Sequence, residues 1–174
     1  MGSVQALTNE MLLAKGLPEA FLMALGIHIL TETKIDWRKY IVMSIVLFFM
    51  ASTLRTLPIS SGINTVLSLF GVIIIFKLLY YSGLNQIIRT IIAPIIILII
   101  ISIAEMMNLL LLSMLYGFDT ANTMVKTPSG WTQCLYSLPS TVFFALLLFA
   151  TYWIIKVMRK RKNKDGDVGK EISE

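Results

Sequence analysis

Residues 87–116 read Ile-Ile-Arg-Thr-Ile-Ile-Ala-Pro-Ile-Ile-Ile-Leu-Ile-Ile-Ile-Ser-Ile-Ala-Glu-Met-Met-Asn-Leu-Leu-Leu-Leu-Ser-Met-Leu-Tyr, and this run decides the fold class. In water, so many isoleucines would favour a strand. In hydrocarbon an open strand leaves its N–H and C=O groups unpaired, whereas a helix pairs them within itself. About 20 residues suffice for a helix to cross the apolar core. A helix over the whole run must therefore tilt, kink at Pro94 or protrude.

Four further apolar runs lie around it: Leu17 to Leu30, Tyr40 to Leu57, Ile63 to Tyr81, and Ser137 to Val157. The first is short for a span unless it borrows residues from the turn before it. Together the runs predict an all-α polytopic membrane protein, a bundle of about five transmembrane helices over residues 17–157. Composition agrees, with 56% hydrophobic and 14% charged residues against about 25% charged in soluble domains. Residues 1–16 place Val4, Leu7, Met11 and Leu12 at helical spacing among polar residues, which predicts an interfacial amphipathic segment. Residues 117–133 predict one long loop. Residues 158–174 form a basic and polar tail, expected to be disordered from Asn163 onward.

Basic residues set the expected orientation. Arg159, Lys160, Arg161, Lys162 and Lys164 follow the last run, and Lys34, Arg38 and Lys39 lie between the first two. Lys77 and Arg89 flank the loop after the third run, while the other side holds only Lys15, Arg55 and Lys126. The positive-inside rule then places the N-terminus outside and the C-terminus in the cytoplasm, in a multi-pass protein of the cell membrane. The tail cluster is expected to bind anionic lipid headgroups. The net charge of +5 therefore points to membrane surfaces and not to nucleic acid.

Ionisable groups within apolar runs are costly and are the first places to look for function. Glu105 stands well inside the fourth run, with Asn108 three residues on and so on the same helical face. Arg55 lies near the outer end of the second run and Glu19 near the outer end of the first. These four define an expected outward-facing polar pocket, with Glu105 turned inward and paired with Arg55 or bonded through Asn108. Interhelical hydrogen bonding without a ligand would account for Glu105 and Asn108 equally well, and Glu19 after Pro18 suits a plain helix start. His28 and Cys134 suggest a Cys–His peptidase. They are expected about a membrane thickness, roughly 30 Å, apart, where a base cannot reach its nucleophile. The single cysteine forms no disulfide within the chain. No metal, nucleotide-binding or hydrolase motif occurs, so neither catalysis nor a cofactor is expected.

Leu17-Pro18-Glu19-Ala20, and Arg55-Thr56-Leu57-Pro58 followed by Gly62-Ile63, resemble the membrane region of certain sensor histidine kinases of Gram-positive bacteria, over about residues 17–115. The resemblance implies a several-span sensor. No phosphoacceptor histidine segment or ATP-binding domain follows the last run, so kinase activity is not implied. The expected function is a non-enzymatic sensor or regulatory module working with a protein partner or as a homo-oligomer. The alternatives are a small transporter component, favoured by a helix broken at Pro94, or a structural partner subunit.

Overall fold

The computed structural model describes residues 12–57, 61–80, 87–126 and 130–171. Its helices are α1 (Leu17–Thr31), α2 (Trp37–Thr56), α3 (Ser61–Leu79), α4 (Ile87–Tyr116), α5 (Phe118–Lys126) and α6 (Gly130–Glu171), with no strand among the described residues. A π-helical turn, Leu12–Gly16, leads directly into α1. The first run thus borrows its missing length, giving a helical stretch Leu13–Thr31 of 19 residues.

Among the described residues four helices are long and apolar enough to cross a membrane, and a further apolar stretch, Ile63–Leu79 in α3, is shorter. The helix ends show that α3 returns the chain across the bundle. Its last turn leads to Tyr80, whose hydroxyl faces the Asp36 carbonyl at the start of α2 at 3.5 Å. Arg89, at the start of α4, pairs with Glu32 at the end of α1. The end of α1, the starts of α2 and α4, and the basic part of α6 therefore share one end of the bundle, hereafter the tail end.

Large apolar side chains cover the outside, Phe70 and Phe149 being 60% and 63% exposed, while Ser44, Thr90, Ser137 and Ser140 are buried. An apolar exterior of this extent is incompatible with water and natural in lipid, which makes this a membrane protein. Hydroxyls on the helices are satisfied locally: Ser44, Ser52, Ser102 and Thr151 each donate to the carbonyl four residues back. A hydroxyl bonded in this way needs no water.

The core forms around α1, which packs against α2, α4 and α6. Ala20, Ala24 and Gly26 give α1 a narrow buried face, and small residues let helices approach where lipid supplies no hydrophobic drive. Ile27, Met43, Leu47, Phe76, Ile97, Phe144 and Leu148 complete that core. Tyr40 ties α2 to α1 by donating to the Phe21 carbonyl at 2.9 Å.

Three expectations change. Residues 117–133 are not one long loop: 118–126 form a helix, because Phe118, Ala121 and Met124 fall at helical spacing and Ala121 is fully buried, and α6 already begins at Gly130. The tail continues α6 as helix to Glu171, since its Lys- and Arg-rich sequence propagates a helix already nucleated in the bundle. α4 runs unbroken through Pro94. Of the amphipathic segment, residues 1–11 lie outside the described residues.

Candidate functional site

Among the described residues, two ionic clusters lie at opposite ends of the bundle. The first brings together Lys15 of the π-helical turn, Glu19 of α1 and Glu105 of α4. The Lys15 ammonium lies 3.5 Å from Glu19 and 3.7 Å from Glu105. Lys15 and Glu19 are nearly enclosed, with side chains 13% and 15% exposed, whereas that of Glu105 is 58% exposed. Sequence reasoning turned Glu105 inward toward Arg55. The structure sets it at a rim with Lys15 as its cation, and the Arg55 side chain lies outside the described residues.

Glu105 separates two recesses. One of about 150 Å³ runs between α1, α2, α3 and α4 and reaches Asn64, Ser68 and Glu19. The other, about 480 Å³ and more open, is walled by Lys15, Asn108, Asn122, Ser137 and Ser140. Asn108 does share the Glu105 face, but its Nδ2 donates to the Tyr136 carbonyl of α6 at 3.0 Å. That bond leaves Oδ1 buried with no hydrogen-bond partner among the described residues. Asn108 thus joins α4 to α6 as expected of interhelical glue, while Glu19 and Glu105 meet at a cavity. The spacing of Lys15 and Glu19, four residues apart on a helical surface, is the signal that could have found the missing cation.

The second cluster is at the tail end. Glu32 receives Arg89 of α4 at 3.1 Å and Arg159 of α6. It caps α1 in the left-handed region at φ 56°, a conformation that costs a non-glycine residue about 1 kcal/mol or more. One carboxylate thus ties three helices. Burial alone would raise its pKa; hydrogen bonds from Arg89 and Arg159, with their charges, outweigh this and hold the carboxyl below its ordinary value. The pin's contribution is then full above the ordinary carboxylate range and fades as pH falls through the lowered value. Of the residues expected to meet headgroups, Arg159 is committed to this pin and Lys160 is exposed. The side chains of Arg161, Lys162 and Lys164 lie outside the described residues.

Beside the pin, Thr31 donates to the Ile27 carbonyl and lies 3.0 Å from Thr33, whose oxygen is 2.7 Å from His28 Nδ1. Thr31 has one hydrogen and spends it on Ile27, so Thr33 must donate to Thr31. His28 therefore donates from Nδ1, which fixes its tautomer and leaves Nε2 as a bare acceptor. Among the described residues Nε2 has no hydrogen-bond partner, and the ring is packed edge-on against Phe76 and Tyr80.

At about 1.5 Å per residue, Lys15 and Glu32 are about 25 Å apart along α1, and Arg89 and Glu105 about 24 Å apart along α4. Glu105 thus lies near one border of an apolar slab about 30 Å thick and not at its centre. Cys134 and Arg159 are about 37 Å apart along α6. Since Arg159 meets Glu32, one turn from His28, the His28–Cys134 pair is separated by about a membrane thickness. Among the described residues no three His, Cys, Asp or Glu side chains gather as a metal site. Compared with known proteins, the chain matches no family model, no curated protein and no solved structure.

Proposed function

We propose that this chain is a non-enzymatic membrane sensor or regulatory module, which binds a small polar ligand at Glu105 and passes its occupancy to a protein partner through α6. The observation that carries this reading is the position of the Lys15–Glu19–Glu105 cluster at the junction of two recesses. A purely structural ion pair does not need a cavity on both sides. One helix connects the pocket to the far end: α6 contributes Ser137 and Ser140 to the larger recess, Arg159 to the Glu32 pin, and then the basic extension. The resemblance of residues 17–115 to sensor membrane regions supports the same reading.

The test is a panel of small polar compounds (amino acids, amines, sugars) screened for thermal stabilisation of the purified chain in nanodiscs. At least one class is expected to raise the unfolding temperature, and Glu105→Gln is expected to abolish that rise. A compound that stabilises both forms equally would remove Glu105 from the site. Net uptake of such a compound into proteoliposomes by this chain alone would replace the sensor reading with transport.

The proposed orientation puts the tail end inside. Reporter fusions after Lys39, Gly83, Lys126 and Glu174 are expected to report inside, inside, outside and inside. An outside signal at Glu174 would invert the arrangement.

A further inference from the structure

We infer that the recess beside the Glu32 pin is a binding site for one anionic phospholipid, held by its phosphate. The recess measures about 390 Å³ and lies between the end of α1 with its following link and the outgoing part of α6. Lys156 and Arg159 supply its cations, and Ile29, Ile35 and Ile155 give it apolar walls. Among the described residues charge is unbalanced here: Lys156 and Arg159 line the recess with Glu32 as its carboxylate, and Arg89 pairs with Glu32 from outside it. Arg89 already neutralises the carboxylate from α4.

A guanidinium has five N–H donors and can hold a carboxylate and a phosphate oxygen together. Arg159 therefore need not leave Glu32 to receive an anion. The Lys156 ammonium lies over the Tyr152 ring, 5.7 Å from its centre, and makes no ion pair among the described residues. A free phosphate would satisfy the cations but leave the isoleucine walls unused. A phospholipid uses both, with its phosphate at the headgroup level and a chain descending along Ile29 and Ile155. This depth follows from the pin itself, which bounds the apolar slab on this side. A site of this kind would fasten α1 to α6 where the pin already joins them, so lipid composition would tune how firmly the long helix is held.

The experiment titrates phosphatidylglycerol into the purified full-length chain in a neutral detergent and follows the unfolding temperature. A saturable rise is expected, with none from phosphatidylcholine or from water-soluble glycerol phosphate. Lys156→Gln is expected to move the midpoint to about fivefold higher lipid concentration, the loss of one cation at an anionic surface. Lys156 is exposed and makes no ion pair among the described residues, so this variant should melt close to the parent without lipid. Lys34→Gln removes a charge at the same end but outside the recess, and should leave the midpoint unchanged. Equal weakening by Lys34→Gln would show diffuse attraction and overturn the discrete site. A comparable rise with glycerol phosphate would make it a site for free phosphate esters, and one with phosphatidylcholine, which carries the same phosphate beside a balancing cation, would overturn the selection for an anionic lipid.

Discussion

Gly26→Leu is expected to lower the stability of the bundle by about 3 kcal/mol or more, at or above the top of the usual range for overpacked cores. Even the first added carbon meets resistance. A Cβ at Gly26 would stand 3.0 Å from a Leu148 methyl and 3.2 Å from two Ile97 carbons, inside ordinary contact distance. Leucine would add three more carbons where α1 meets both α4 and α6. The chain carries its own reporter, since Cys134 is the single cysteine and is buried. Its labelling by a thiol-reactive dye during heating should begin at a distinctly lower temperature in the variant. Gly26→Ala should differ far less, because alanine gains up to about 1 kcal/mol in helix propensity while its methyl crowds the same neighbours. Combining Gly26→Leu with Leu148→Ala should recover part of the loss by returning volume. Unchanged melting of Gly26→Leu would mean that α1 does not approach α4 and α6 as closely as described.

The second large effect is expected at Lys15. Lys15→Met keeps the length and apolar stem but removes the cation shared by Glu19 and Glu105. Removing one partner of an enclosed ion pair typically costs about 3–5 kcal/mol, because the other charge stays desolvated. The lower figure is expected here, since Glu105 is over half exposed and an exposed pair contributes little. Glu19→Gln in the Lys15→Met background should then recover more stability than Glu105→Gln, because Glu19 is the more enclosed carboxylate. The reverse order of rescue would identify Glu105 as the structural partner and weaken its assignment to a ligand. Chemical denaturation of the parent, the single variants Lys15→Met, Glu19→Gln and Glu105→Gln, and the two double variants in one detergent measures both couplings directly.

Much of the fold was legible because hydropathy alone decides what crosses a bilayer. The run at 87–116 coincides with α4 at both ends, and the short first run did borrow its length from the turn before it. Features that depend on who meets whom were less legible. Lys15 was grouped with an interfacial segment, since nothing in its spacing announces a π-helical turn. Residues 118–126 read as loop because Asp119, Thr120, Asn122 and Thr123 dilute the apolar signal of so short a helix. Arg89 entered the sequence reading as a loop charge, Arg159 as a headgroup-binding charge of the tail, and Glu32 not at all. Their convergence depends on two helix ends meeting the body of α6, and pairwise spacing along the chain carries no trace of it. Glu19, Glu105 and Asn108 stood out through the cost of polar groups in apolar runs, whereas the contacts they make, Lys15 for the two carboxylates and the Tyr136 carbonyl for Asn108, did not.

The two ionic layers also set a ruler. About 25 Å of helix between Lys15 and Glu32 is shorter than an average hydrocarbon core of about 30 Å, and a transmembrane protein answers such a mismatch by thinning the lipid around it. α4, at 30 residues, can adapt by tilting, but α1 is held at both ends by charges that resist entering hydrocarbon. The chain should accordingly partition into thinner, shorter-chained bilayers. In a thick bilayer, strain would fall first on the Lys15 and Glu32 layers, so that bilayer thickness itself becomes a force acting on the pocket.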